Sequence, residues 1–210
     1  MSQKLDSTLF ENDRRNNVQS GDRRVKRTQQ MLQQAFMELV VEEGFNSMTV
    51  QILAERAMIN RATFYRHYDD IYDLAEKVFL KIIDEHLVSV QAFMPGHPIE
   101  TLQRMFEHCA AYAPFYLSLL SEMPRFQELV RETIEKELVI FFKTIGVDEE
   151  GMTIPLPILL RYWSTAQMGI VQWWLESGQT HTSLEMAQYL WQLFENGPVE
   201  QLQLPKEQED

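Results

Sequence analysis

Apolar residues recur along most of the chain with the three- and four-residue spacing of helices. Between residues 24 and 43 the spacing predicts one helix, and Gly44 is a good stop for it. A second apolar stripe begins after Asp69 and Asp70 and runs without a breaker to Phe93, a length of about 35 Å. Five further helices are predicted to begin near Pro98, Pro114, Arg125, Ile154 and Ser183. The chain has no convincing pair of strands, so the pattern predicts an all-α protein.

Two short helices lie between the first two stripes, joined by a tight turn. Thr49 and Asn60 are both good N-cap residues and precede the two helices. The second helix is crowded with basic and hydrogen-bonding side chains. A short helix, a turn and a polar second helix are typical of a helix-turn-helix, whose second helix enters the DNA major groove. The alternative is a plain helical hairpin in an all-α protein.

The residues around this hairpin favour the first interpretation. The stretch from Val25 to Leu87 resembles the DNA-binding domain of the TetR family of transcriptional regulators. The resemblance is carried by the following stretches: Ala35-Phe36-Met37-Glu38-Leu39, Gly44-Phe45, Met48-Thr49-Val50, Ile52-Leu53-Ala54-Glu55-Arg56-Ala57, Asn60-Arg61-Ala62-Thr63-Phe64-Tyr65-Arg66-His67-Tyr68 and Leu74. The resemblance implies a three-helix DNA-binding domain joined by a long helix to a helical ligand-binding and dimerisation domain.

The resulting domain prediction has four parts. Residues 1–22 are expected to be a flexible basic arm, and residues 23–83 the DNA-binding domain, with its helix-turn-helix at about 47–67. Residues 84–196 are expected to be the effector-binding and dimerisation domain, and residues 197–210 a disordered tail. Two positions depart from the family pattern: Met58 replaces a turn glycine, and Ile71 replaces a lysine at the start of the fourth helix. Met58 would carry a conformational cost if the turn needs a positive φ there.

The predicted DNA contacts lie mostly on the second short helix. By resemblance, Thr49, Tyr65 and His67 hold phosphates. Residues 60–63 open the helix that enters the groove, where Arg, Asn, Ala and Thr side chains can contact base edges. The full predicted set is Arg27, Thr49, Asn60, Arg61, Ala62, Thr63, Tyr65, Arg66 and His67.

The second domain is rich in aromatic residues and methionine, and most of these residues are expected to be core. The resemblance adds two roles, a pocket for a small apolar or aromatic effector and an interface for a homodimer. The predicted pocket residues are Phe106, Cys109, Tyr112, Phe115, Tyr116, Trp163 and Gln167. The predicted interface residues, on the last two helices, are Trp163, Ile170, Val171, Trp174, Leu190 and Phe194.

Charge is distributed unevenly. The net charge is −12, but residues 14–68 hold nine basic and five acidic residues. Exposed charges are screened beyond about 8 Å at physiological salt, so a local basic region can attract phosphate although the rest of the chain is acidic. The charge distribution is therefore compatible with DNA as the partner. The resemblance implies that the partner is a double-stranded, palindromic operator, bound by a homodimer that acts as an effector-released repressor.

Other classes of function find little support in the sequence. One cysteine, Cys109, rules out an internal disulfide, and the chain has neither a long apolar run nor an apolar signal core, which together predict a cytoplasmic protein without a membrane partner. The predicted DNA binding would make it nucleoid-associated. Adjacent His108 and Cys109 point about 100° apart on a helix and cannot grip one metal alone. No catalytic or phosphate-binding motif is present, so no enzyme activity, metal or cofactor is predicted. The remaining alternative is a helical ligand-binding or protein-interaction module that has lost DNA binding.

Overall fold

A computed structural model describes the backbone of residues 5–90, 96–147 and 152–200, and the side chains of residues 23–86, 96–147 and 152–198. These residues form nine helices and no strand, which confirms the all-α prediction. The helices are α1 (Leu5–Glu43), α2 (Val50–Arg56), α3 (Arg61–Phe64), α4 (Ile71–Val90), α5 (Pro98–Ala111), α6 (Ala113–Glu122), α7 (Pro124–Thr144), α8 (Leu156–Glu176) and α9 (Ser183–Glu200).

The first helix begins earlier than predicted. We expected it to start near Arg24, after a flexible arm, but α1 is helical from Leu5 onward. Residues 5–20 contain neither proline nor glycine, the two residues that disfavour a helix most, so the backbone can be helical there without an apolar stripe. The end is as predicted, because Gly44 adopts a φ of 81° directly after α1.

Residues 1–78 form the first compact unit. Its core is a small apolar cluster from α1 to α4 in which each side chain is at most 1% exposed: Leu32, Phe36, Leu39, Leu53, Phe64 and Leu74. Arg56 at the end of α2 is paired with Glu42 of α1, with 2.8 Å between Nη2 and Oε2, and also with Glu38. The first helix therefore braces the short helices by apolar packing and by these ion pairs.

Residues 79–210 form the second unit. In it α5 packs against α9, and α7 packs against α8. Phe106 of α5 lies edge-on against Trp174 of α8, with 5.2 Å between the ring centroids. Thr182 caps α9 in a capping box, because its Oγ1 accepts from the Glu185 backbone N–H while Glu185 accepts from the Thr182 backbone N–H.

Several predicted segment ends fall at the limits of the described residues. The described part of α4 ends at Val90, and the predicted end at Phe93 lies outside the described residues. Gly197 interrupts α9 with a φ of 75°, at the residue where the predicted tail begins, and the helical backbone continues to Glu200. Of the tail expected to be disordered, residues 201–210 lie outside the described part of the chain.

Among the described residues, no helix combines the length and apolar character that a membrane span requires.

Candidate nucleic-acid interface and ligand cavity

Both short helices begin at side-chain caps. The Thr49 hydroxyl oxygen accepts from the Ile52 backbone N–H at 3.2 Å and starts α2. The Asn60 carboxamide oxygen accepts from the Thr63 backbone N–H at 2.7 Å and starts α3. Each bond satisfies one of the N–H groups that a helix start leaves without an intrahelical partner. The two predicted N-caps thus set where the two helices begin.

The turn between α2 and α3 requires a left-handed residue. The Met58 backbone N–H donates to Glu55 O at 3.0 Å, and the Ile59 N–H donates to Ala54 O at 2.9 Å. This pair of bonds is a Schellman motif, in which the residue at the position of Met58 has a positive φ. Met58 has a φ of 53°. Because the turn needs a positive φ at this position, Met58 carries the conformational cost that a residue with a side chain has there.

Three polar side chains of the α3 region form a chain of hydrogen bonds. The Thr63 hydroxyl donates to the Asn60 carboxamide oxygen at 3.0 Å. The Arg66 guanidinium in turn donates to the Thr63 hydroxyl oxygen at 2.9 Å. The side chains on this face of α3 are consequently held in place before any ligand arrives.

The other predicted DNA contacts are also accessible. Arg27, Thr49, Arg61 and Ala62 are exposed, and Tyr65 is 51% exposed. In the same segment as Arg61 and Tyr65, the side chains of Phe64 and Tyr68 are buried and anchor the segment in the first unit. His67 is half-buried and lies against the ring of Tyr68. The segment therefore alternates between anchors in the core and polar side chains that face solvent.

Residues of α1, of the turn before α3 and of the α3 region line one concave surface, which we call the α1–α3 groove. The groove is lined by Arg24, Val25, Thr28, Met58, Ile59, Asn60, Thr63, Arg66 and His67. Thr28, which is not among the predicted contacts, lines this groove and donates its hydroxyl hydrogen to Arg24 O at 3.0 Å. The signal available in the sequence was its position one turn after Arg24 in a basic stretch. Arg61, Ala62 and Tyr65 do not line the groove.

The second unit contains an apolar cavity of about 110 Å³, which we call the α4–α8 cavity. Five helices contribute to its wall, with Phe79 and Ile83 coming from α4. Its polar lining groups are Cys109, Tyr116, Thr133, Gln167 and Gln172. Among the described residues that line it, none carries a formal charge, since Asp, Glu, Lys, Arg and His are all missing from the wall. The cavity is of the order of the ~150 Å³ apolar cavity that binds benzene in another protein.

Three of the seven residues predicted for the pocket line this cavity: Cys109, Tyr116 and Gln167. Phe106 and Phe115 are buried elsewhere in the core, and Tyr112 packs against the ring of His108. Trp163 lines a separate apolar cleft together with Leu190 and Phe194. The assignment of these residues to effector binding stays a prediction.

The titratable groups at the cavity are neutral at pH 7. Burial raises the pKa of the Cys109 thiol to about 12, and it raises the pKa of the Tyr116 phenol as well. His108 accepts or donates a 2.8 Å hydrogen bond between its Nε2 and the Tyr116 hydroxyl. Burial and the neighbouring His86 lower the pKa of His108 to about 4. The cavity is thus lined by neutral groups and supported by a neutral imidazole.

The residues predicted for the dimer interface divide into two groups. Trp174 is 1% exposed and Leu190 is 5% exposed, so both are already buried inside their own unit. Trp174 also donates its indole N–H to His181 O at 2.9 Å. Trp163, Ile170, Val171 and Phe194 are half-buried, and Phe194 stacks on Trp191.

The exposed apolar side chains of α8 lie on another face of that helix. Ile158, Tyr162 and Trp173 are each about half exposed or more, at 58%, 48% and 53%. Their spacing of four and eleven residues places them within about 60° of one another around the helix. A Cβ built on Gly169, which shares this face, would meet no atom within 4 Å. Tyr189 on α9 is also exposed.

Metal binding finds no support in the described residues, among which no group of three or more His, Cys, Asp or Glu side chains is placed to hold an ion.

A capped helix-turn-helix with accessible polar side chains, followed by a helical unit with an apolar cavity, defines a DNA-binding transcriptional regulator. Residues 34–78 match the family described as bacterial regulatory proteins, tetR family, and residues 96–196 match a transcriptional regulator C-terminal region of TetR type. The chain belongs to the TetR family of transcriptional regulators.

Relatives and solved structures agree with this family. An uncharacterised helix-turn-helix transcriptional regulator of Bacillus subtilis strain 168, YxbF, is 28% identical over 170 residues, which cover 76% of this chain and 42% of that protein. The chain thus matches less than half the length of this curated relative.

Among solved structures, a TetR transcriptional regulator from Streptococcus agalactiae 2603V has a TM-score of 0.62 at 23% identity, over 82% of this chain and 96% of that one. The fatty acid degradation regulator FadR from Bacillus halodurans has a TM-score of 0.60 at 15% identity, over 81% and 96%. FadR from Bacillus subtilis, solved with stearoyl-CoA, has a TM-score of 0.55 at 15% identity, over 80% and 98%. At these identities the likeness shows a shared fold.

Proposed function

We propose that this regulator is a homodimeric repressor that binds a palindromic operator through α3 and leaves it when a small uncharged effector fills the α4–α8 cavity. The observation that carries the proposal is the preordered polar face of α3 together with the basic stretch of α1 at residues 23–27. This is the arrangement that base contacts and phosphate contacts require.

The DNA contacts divide by position. Residues 60–63 open α3, and the exposed side chains of Arg61 and Ala62 are free of the core, so we assign them to base edges. Thr49, Tyr65 and His67 are assigned to phosphates, as the family resemblance implies. Arg24 lines the α1–α3 groove with His67, and Arg27 is exposed three residues further along α1, so both can supply positive charge for phosphates.

The dimer interface is proposed on the exposed apolar face of α8, together with exposed residues of α9. Ile158, Tyr162 and Trp173 supply large apolar surface, and Gly169 leaves room for close approach of a second helix. Trp174 and Leu190, which the sequence suggested for this role, support the surface from inside their own unit. A two-fold dimer would present two α3 helices to two half-sites of a palindrome.

The effector is proposed to be uncharged. A charged ligand in the α4–α8 cavity would lose its hydration without gaining an ion pair from the wall, which is costly. The neutral side chains of Gln167, Thr133 and Tyr116 can orient a ligand by hydrogen bonds. The long-chain acyl-CoA found in the Bacillus subtilis structure carries phosphates, so a ligand of that class does not suit this wall.

The proposed coupling runs through α4. Phe79 and Ile83 of this helix line the cavity, and Leu74, Ala75 and Val78 of the same helix are buried in the first unit. A ligand that displaces Phe79 and Ile83 would move a helix whose other end carries the core of the DNA-binding unit. The ligand acts by its differential affinity for the DNA-bound and released states.

Fluorescence titration of labelled operator duplex with purified protein tests the proposal. Arg61→Ala and Arg66→Ala are expected to weaken operator binding at least tenfold each, because base and phosphate contacts of arginine are lost. Arg125→Ala removes one exposed arginine of the second unit and is the matched control, expected to bind within about twofold of wild type. Equal affinities for all four proteins would contradict the assignment of α3.

A further inference from the structure

Met58 has two properties that the packing of the first unit does not account for. It adopts a φ of 53°, a conformation that glycine adopts without steric cost and other residues rarely adopt. Its side chain is 84% exposed, the largest exposed fraction among the large apolar side chains that the structure describes as exposed. Residues in strained conformations concentrate at functional sites.

The turn explains the backbone of Met58 but not its side chain. The Schellman bonds from Met58 and Ile59 need a positive φ, and glycine would supply it with less strain. The side chain gains little packing in return, since most of its surface faces solvent. A long apolar side chain at this position is therefore available to a partner outside the unit.

The location of Met58 indicates which partner that is. Met58 lines the α1–α3 groove together with Asn60, Thr63 and Arg66, two to eight residues further along the chain. Those three polar residues carry hydrogen-bonding groups, whereas Met58 carries a flexible thioether that adapts to irregular apolar surfaces. In the major groove, the apolar group that distinguishes one base from the others is the 5-methyl group of thymine.

We propose that Met58 is a specificity-determining residue that contacts the 5-methyl group of a thymine next to the bases read by α3. The inference rests on the proposed operator binding. The turn position then adds a base contact to those of α3, and the strain at φ 53° is retained because glycine would remove the contacting side chain.

Replacement of single thymines by uracil tests the contact, since uracil lacks only the methyl group. The probe is the tightest duplex selected by the wild-type protein from random DNA, with each thymine replaced in turn. Wild type is expected to lose about fourfold in affinity at one thymine of each half-site, the effect of exposing one buried methyl group. Met58→Ala, which keeps the positive φ but lacks the thioether, is expected to bind the thymine and uracil duplexes equally at that position.

Two glycine variants separate strain from contact. Met58→Gly and Gln179→Gly both remove a non-glycine residue with positive φ, since Gln179 has a φ of 59° in the second unit. Both are expected to raise the melting temperature of their unit, by roughly 3 °C. Only Met58→Gly is expected to lose the uracil effect, while Gln179→Gly keeps the wild-type profile.

The outcomes that contradict the proposals are distinct. Identical uracil profiles for wild type and Met58→Ala, with sequence-specific binding intact, would overturn the role of Met58 alone. A Met58→Ala variant that weakens all duplexes equally would also overturn it, because the side chain would then contact the sugar-phosphate backbone. A wild-type protein that selects no duplex over random DNA would contradict operator binding itself.

Discussion

The imidazole of His108 on α5 and the phenol of Tyr116 on α6 are joined by a 2.8 Å hydrogen bond between Nε2 and the hydroxyl. Tyr116 lines the α4–α8 cavity, whereas His108 is not one of the lining residues. Burial and the nearby His86, whose ring centroid is 4.3 Å away, lower the pKa of His108 to about 4. The bond thus holds a cavity residue in place without bringing a charge to the wall at neutral pH.

This low pKa predicts that stability falls in mild acid. The unfolded chain binds a proton at His108 near its ordinary pKa of 6.5, whereas the folded chain does so only near 4. Between these values the unfolded state holds more protons, so the free energy of unfolding decreases as the pH is lowered from about 6.5 to 4. His86, whose pKa is also lowered by burial, acts in the same direction.

Urea unfolding of wild type and His108→Gln at pH 7 and pH 5 measures this dependence. The variant is expected to lose less stability than wild type on acidification, because one histidine no longer contributes. Equal losses for the two proteins would refute the assignment to His108. His181→Gln, at a histidine outside the His108–Tyr116 pair, is the control for a change of histidine to glutamine in the same unit.

Replacement of Arg131 is expected to lower the free energy of unfolding of the second unit strongly. It is 6% exposed and lies between two carboxylates of α7, bonded to Glu128 and, at 2.7 Å, to Glu135. Glu135 also accepts from the Ser164 hydroxyl of α8 at 3.3 Å. Removal of the guanidinium leaves the partly buried Glu135 with fewer partners, so Arg131→Met is expected to cost about 2–3 kcal/mol.

The control for Arg131 is on the same network. Arg161 reaches Glu135 at 3.3 Å, but its side chain is 60% exposed, so Arg161→Met should cost less than about 1 kcal/mol. Thermal or urea unfolding of both variants provides the comparison. A smaller cost for Arg131→Met than for Arg161→Met would show that the buried ion pairs do not stabilise the packing of α7 on α8.

The N-cap of α3 predicts a combined loss of stability and DNA binding. Asn60→Ala removes the acceptor of the Thr63 backbone N–H and should destabilise the first unit by about 1 kcal/mol. It also removes the anchor of the hydrogen bonds from Thr63 and Arg66, so operator affinity should fall further than stability alone explains.

Asn60→Ser separates these two effects, because serine caps a helix about as well as asparagine. Unfolding should return close to wild type for the serine variant, and operator affinity should recover only in part. Full recovery of affinity by serine would mean that Asn60 contributes only the cap and no base contact.

Substitutions at two neighbouring tryptophans of α8 test the proposed dimer interface. Trp173 is 53% exposed on the proposed interface, so Trp173→Glu should convert dimers to monomers with its helix content kept. Trp174 is 1% exposed against Phe106, so Trp174→Phe should destabilise the second unit but leave the dimer intact. Sedimentation velocity and circular dichroism distinguish the two results, and a dimeric Trp173→Glu would exclude this face.

The same two residues illustrate what the sequence can and cannot predict. The sequence placed the starts of α5, α7 and α8 within two residues of the observed starts, because a proline lies at or next to each of them. The side chains of Trp173 and Trp174 differ by about 100° around the helix, and either could have faced the core on composition alone. Only the packing of Phe106 against Trp174 decides which one is inside.

A similar limit applies to the cavity and to the first helix. Phe106 and Cys109 are three residues apart on α5, yet only Cys109 lines the cavity. The caps Thr49 and Asn60 were predictable since their function depends on local chemistry. The early start of α1 at Leu5 was not, because the segment has no apolar stripe that would reveal a helix.

The central claim is that α3 reads a specific operator as part of a dimer. Retention of genomic DNA fragments by the purified protein at 50 mM and 200 mM salt, followed by sequencing, tests it most directly. The predicted result is enrichment of one palindrome, with weaker retention at the higher salt because phosphate contacts release counterions. No enrichment over random fragments at either salt would contradict the claim.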